Sequence, residues 1–226
     1  MINHLPTYIG WLFGLTTLAT AWLFYRASPR NSTLLLLIVA WLLLQAMVAA
    51  TGFYTVTTSY PPRFLLLVLP PLLLIAVLFA STKGRRWLDC LHPGQLTLLH
   101  TIRIPVEIVL YMLYLHQTVP QLMTFEGRNW DILSGITAPF IYYFGYVKNK
   151  IPVRWLLLWN IACLLLLFNI VVHAVLSAPF PFQQLAFEQP NVAVLYFPFV
   201  WLPCFVVPIV LLSHLVCMRR LLQQNK

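Results

Sequence analysis

Residues 100–116 read HTIRIPVEIVLYMLYLH, an arginine, a glutamate and two histidines inside an otherwise apolar run. A helical step of about 100° per residue puts His100, Arg103, Glu107, Tyr111, Tyr114 and Thr118 on one side, with His116 nearly opposite. The resulting polar stripe is roughly 27 Å long, most of the thickness of a bilayer core. A charged side chain facing lipid near mid-membrane is costly, and the tyrosine hydroxyls need partners. The stripe must therefore face other helices, and the stretch predicts a central helix of a membrane bundle. Arg103 and Glu107, four residues apart, are spaced to pair directly. Such pairing lowers the cost of burial and adds little net stability over apolar substitutes. Pro105 between them frees the carbonyl of Thr101 from its usual helical bond.

Working outward, the rest of the chain has the same character. Of its 226 residues 61% are hydrophobic and only 8% charged, against about 25% charged in a soluble domain. So few charges cannot cover a water-facing surface. Seven apolar stretches fall at 7–25, 33–54, 64–81, 96–117, 131–147, 155–177 and 193–217, and a spanning helix needs roughly 17 to 25 residues. The expected fold is all-α: one polytopic seven-helix transmembrane domain with no internal repeat and no linker to a second domain. The third and fifth stretches are near the lower limit, and the third contains Pro70-Pro71, so six spans is the fallback. The first span has no positive charge before it and no small-residue cleavage site, which reads as a retained helix.

The net charge of +9 follows from topology. Arg26, Arg30, Lys83, Arg85, Arg86, Lys148, Lys150, Arg154, Arg219, Arg220 and Lys226 are 11 of the 14 basic residues and fall on one side. Arg63 and Arg128 fall on the other. The positive-inside rule then puts the N-terminus outside and the C-terminus in the cytoplasm of a multi-pass protein of the plasma (inner) membrane. No nucleic-acid partner is expected. Cys90, Cys163, Cys204 and Cys217 show no metal-ligand or paired spacing, so neither a disulfide nor a metal site is expected.

The candidate ligand or ion site comprises Arg103, Glu107, His100, Tyr111 and Tyr114 of the fourth span. Gln45 of the second, Asn169 and His173 on one face of the sixth, and His214 of the seventh join them. On the fifth span Asp131, Ser134, Gly135, Ala138, Tyr142 and Gly145 share a small, polar face suited to close packing beside the fourth. The preceding TFEGRNWD segment supplies Glu126, Arg128 and Asp131 as an outer mouth, with Glu126 pairing Arg128 and Asp131 capping the fifth helix. Pro198, Pro203 and Pro208 predict a bent or broken seventh span, whose freed carbonyls need burial or a wet cavity. The segment with Phe180, Phe182 and Phe187 is too apolar for a free loop and is expected at the interface or over the bundle mouth.

These features point to a small transporter or channel-like protein for protons, ions or a small polar solute. Arg103 would bind an anionic group or set the field, and Glu107 would carry a proton. The expected partners are membrane lipids and the solute, with a membrane protein partner or a homo-oligomer as further candidates. The first alternative is a receptor or membrane subunit of a larger complex. An intramembrane enzyme is the second, although no GxSxG, HExxH or close carboxylate pair is present. No cofactor is expected. A single haem b held by His100 with His214, or by His116 with His173, is the remaining alternative. A retinal pigment fails because the seventh span has no lysine.

Overall fold

The computed structural model describes residues 5–224, so Lys226, counted above with the tail cations, lies outside them. Among the described residues the chain is helical with no strand. The helices are α1 (Thr7–Ala27), α2 (Ser32–Ala50), α3 (Leu65–Ala80), α4 (Thr82–Asp89), α5 (Pro93–Leu99), α6 (Arg103–Leu115), α7 (Ile132–Ile141), α8 (Val153–Leu176) and α9 (Val207–Gln224).

Among the described residues five helices are long and apolar enough to cross a membrane: Thr7–Ala27, Ser32–Ala50, Pro93–Leu115, Val153–Leu176 and Leu202–Gln224. Six qualify if α3 and α4, bent by 94°, form one broken span, and Ile132–Val147 is a shorter apolar helix. The two short members are the two that the sequence marked as short.

Prolines account for the irregular turns. Pro105 offers no N–H to the carbonyl of Thr101, and the helix tightens into a 3₁₀ turn at His100–Ile102 between α5 and α6. Pro208 likewise cannot serve the carbonyl of Cys204, which lies in a π turn at Leu202–Val206. The Trp41 indole on α2 donates to that carbonyl instead, at 3.0 Å, and the Trp201 indole donates to the carbonyl of Leu42, also at 3.0 Å. The two tryptophans stitch α2 to the start of the last helix. The last helix runs Leu202–Gln224, not 193–217. Pro198 therefore lies ahead of it, because Val192 and Ala193 turn away to give their N–H groups to the carbonyl of Thr118.

Residues 82–89, expected within a connection, form α4. Ser81 Oγ accepts the Gly84 N–H at 3.0 Å and starts the helix. Gly84 is pressed against the Leu78 backbone, and a Cβ there would overlap the Leu78 carbonyl. The corner between α3 and α4 thus requires glycine. α4 buries Leu88 and exposes Lys83 and Arg86. Its last residue, Asp89, takes a two-pronged bond from Arg219 of α9 at 3.0 and 3.1 Å.

Pro93–Leu115 is the central post. α1 packs along it, α9 packs on α5 and α8, and α7 crosses the 3₁₀ turn. The small face of α7 allows that crossing. Ser134, Gly135 and Ala138 are buried, and a Cβ on Gly135 would come within 3.0 Å of the Ile104 nitrogen. Leu36, Leu37 and Met47 on α2 and Leu165 and Phe168 on α8 face outward. The phenylalanine-rich segment folds across one end of the bundle. Phe180 is buried against Phe64 at 5.7 Å, and Gln189 donates to the carbonyls of Tyr114 and Val119.

Candidate functional site

The polar stripe of α6 becomes a network of buried side chains drawn from five segments. Arg103 Nη1 donates to Asp131 Oδ1 at 2.8 Å and to the Cys163 carbonyl at 3.4 Å. Its Nη2 lies 3.1 Å from His214 Nε2. Because a guanidinium only donates, Nε2 accepts, and the His214 proton sits on Nδ1. Nδ1 then donates to Asn160 Oδ1 at 3.0 Å, and Asn160 Nδ2 donates to the Leu156 carbonyl at 2.9 Å. Every link has a consistent direction. The His214 ring stacks on His100, centroids 3.8 Å apart and 16° from parallel, and Trp159 lies against both rings.

Glu107 does not pair with Arg103, contrary to the spacing argument. Among the described residues the ion pairs are Arg103–Asp131 and Arg219–Asp89. The small face of α7 brings Asp131 to the guanidinium, and Glu107 turns to Asn129. Asn129 Nδ2 donates to Glu107 Oε1 at 2.6 Å and to the Met123 carbonyl at 3.0 Å. Its Oδ1 accepts the Asp131 N–H at 3.1 Å. Asn129 thus sets the spacing between the two carboxyl groups.

The outer-mouth assignment also needs correction. Asp131 is buried and makes no side-chain cap on α7. Glu126 and Arg128 are exposed and unpaired with each other, and the Arg128 carbonyl accepts a bond from Asn169. Of the other candidates, Tyr111 packs at a tilt against Tyr114 and Phe125. Gln45 accepts the Tyr54 hydroxyl at 2.6 Å. His173 Nδ1 donates to the Asn169 carbonyl one turn back. These five residues lie outside the network, whereas His100, Arg103, Glu107 and His214 meet within it.

The sequence reading missed Asn160 and the central place of Asn129 and Asp131. A signal for Asn160 existed. It precedes Asn169 by nine residues, which puts the two on opposite faces of α8 at about 100° per residue. Only one of them can face the post.

Glu107 and Asp131 line a cavity of about 110 Å³ whose other walls are almost wholly apolar, including Val106, Leu110, Val171 and Val194. Its partly exposed lining residues are Val68 on α3, Val171, Ala174 and Val175 on α8, and Leu202, Pro203 and Val207 of the last helix, so its open side is bounded by these three elements. Glu107 is 1% exposed, and its Oε2 has no hydrogen-bond partner. The same holds for both His100 nitrogens, Arg103 Nε and Ser134 Oγ. A buried polar atom without a partner costs about 1 to 3 kcal/mol, so each of these atoms calls for a water or another polar group.

A haem between His100 and His214 does not fit this arrangement, because the two rings are in van der Waals contact and leave no space for a macrocycle. No group of three or more His, Cys, Asp or Glu residues that could hold a metal ion is found among the described residues.

The model of one protein family, described as Domain of unknown function (DUF8737), matches residues 61–222. The chain belongs to this family. The DUF8737 region contains every member of the network, from His100 to His214, and all the lining residues of the cavity. α1 and α2 lie before it. Nothing matches among curated proteins or among solved structures.

Proposed function

We propose that the chain is a multi-pass membrane protein that moves a small solute by binding and releasing a proton at Glu107. In this reading α3 and Ile132–Val147 also cross, giving seven spans with the N-terminus outside and the C-terminus in the cytoplasm of the plasma (inner) membrane. The distribution of lysine and arginine supports it. The connections after α1 and before α8, α4 itself and the end of α9 carry the basic residues and would face the cytoplasm.

One observation carries the mechanism: the interior holds two carboxyl groups and one guanidinium. Asp131 takes the guanidinium. Glu107 is left with an amide on one oxygen and nothing on the other, at a cavity wall. An unmatched carboxylate in a low-dielectric interior requires neutralisation, and a proton is the smallest neutralising group. Arg103, held by Asp131 and His214, supplies a fixed positive field beside it. The apolar lining favours a carrier over an open water-filled channel. A ligand-binding membrane subunit is the second reading, favoured by the sideways opening of the cavity.

The test uses purified protein in liposomes on a solid-supported membrane. A step in pH gives a transient current as the buried site takes up its proton, and Glu107→Gln removes at least nine-tenths of it. A wild-type response equal to that of empty liposomes overturns the proposal. A transient without steady solute-driven current across a panel of small polar solutes assigns the subunit reading.

A further inference from the structure

The same cavity specifies a class of ligand. We infer that it takes a small amphiphile with an apolar body and one primary amine, which docks through the open side bounded by α3, α8 and the start of the last helix and meets Glu107 Oε2. This rests on the reading of Glu107 as a proton site.

Size comes first. An apolar cavity of about 150 Å³ accepts benzene, so the 110 Å³ here suits a body of similar or smaller bulk. The open side lets a longer tail continue toward lipid. Next comes the lining. Its two carboxyl groups, Glu107 and Asp131, disfavour an anion, and its other walls, apolar except at Asn191, disfavour a sugar or other polyol. Last come the unpartnered atoms, Glu107 Oε2 and the Asn191 side-chain oxygen, both acceptors that call for a donor. Glu107 Oε1 is occupied by Asn129, whereas Oε2 is free. An amine on Oε2 satisfies it and matches the second carboxylate with a second positive charge.

The proton balance follows. An ammonium ion crossing the apolar rim would pay for full desolvation, so the ligand enters as the neutral base. Its nitrogen lone pair takes the Glu107 proton, leaving R–NH₃⁺ against a carboxylate, with no other bond made or broken. At neutral pH the free amine is protonated in bulk water. Binding therefore returns about one proton to solution for each amine bound. The titratable groups facing Glu107 are Asp131 ahead of α7, Arg103 on its own helix, Cys163 on α8 and, beyond Arg103, His100 and His214. α3 contributes none.

The experiment titrates the full chain in detergent with hexylamine, hexanol and hexanoate, reading thermal unfolding and proton release in weakly buffered solution. Hexylamine is expected to raise the unfolding midpoint saturably by several degrees and to release about one proton per site. Hexanol binds more weakly and releases none, and hexanoate does not bind. Glu107→Gln abolishes the proton release, and Val171→Trp, which fills the cavity, abolishes binding of both hexylamine and hexanol. Should Val171→Trp fail to fold, Val194→Phe replaces it. Equal stabilisation by hexanoate, or hexylamine binding without proton release, overturns the inference. If the pH-step current survives while hexylamine fails, the ligand class is wrong and the proton site stands. If the current is absent, both fall.

Discussion

Arg103 has the most demanding environment in the molecule. It is 2% exposed, and its charge is tolerable because Asp131 meets it at 2.8 Å. Removing one member of a buried pair leaves an uncompensated charge, which costs about 3 to 5 kcal/mol. Asp131→Ala is therefore expected to lower stability by about that amount, measured by unfolding in detergent. Adding Arg103→Met to Asp131→Ala recovers most of the loss, because the double variant has no orphaned charge. Glu107→Ala in place of Asp131→Ala costs less, since Arg103 keeps its counter-ion. The positions of Arg103, Glu107, His100 and His214 were legible as polar residues in apolar stretches. Their pairing was not, because helical spacing sees only neighbours on the same helix. Asp131 reaches Arg103 across 28 residues, by way of a crossing that only the small residues of α7 permit.

Helices were easier to read than their ends. The apolar stretches gave four of the five long helices to within a few residues, whereas the last begins nine residues later than its stretch, where the prolines and the turn at Val192 and Ala193 intervene. α4 was missed because five of its eight residues are charged or polar and one is glycine, a composition that resembles a connection. Its amphipathic face becomes legible only beside α9. The Arg219 guanidinium holds the Asp89 carboxyl below its ordinary range. A depressed value means the bond contributes above the unfolded pKa of about 3.9 and is lost as pH falls through the lower folded value. The attachment of α4 is thus expected to be constant from about pH 5 to 8 and to loosen only below about pH 4, read from amide exchange in α4. Asp89→Asn loosens it at neutral pH by no more than about 1 kcal/mol, as for other partly exposed pairs. Trp41→Phe tests a buried join. It strips the Cys204 carbonyl of its donor and is expected to cost about 1 to 3 kcal/mol in unfolding measurements.

Taken whole, the chain's architecture predicts a labelling pattern. With seven spans, Cys90 beside α4 reacts with a membrane-impermeant maleimide only from the cytoplasmic side. Cysteines introduced at Glu126 and Phe187, both exposed, react only from outside. Labelling of all three from one side removes a crossing from the scheme. The sequence could supply this pattern because charge asymmetry is a property of connections. It could not supply the cavity, which arises where α3, α6, α8 and the π turn at Leu202–Val206 fail to close on one another.

The paired tryptophans set a timetable for biogenesis. Trp41 waits for a carbonyl 163 residues later in the chain. At about 5 to 20 residues per second of synthesis that is roughly ten seconds or more. On the membrane topology proposed above, the first hairpin sits in the bilayer without its clasp during that interval. Arrival of the last helix locks both indoles together and sets the depth of α2, so a nascent chain released before residue 204 is expected to be the substrate of membrane quality-control proteases.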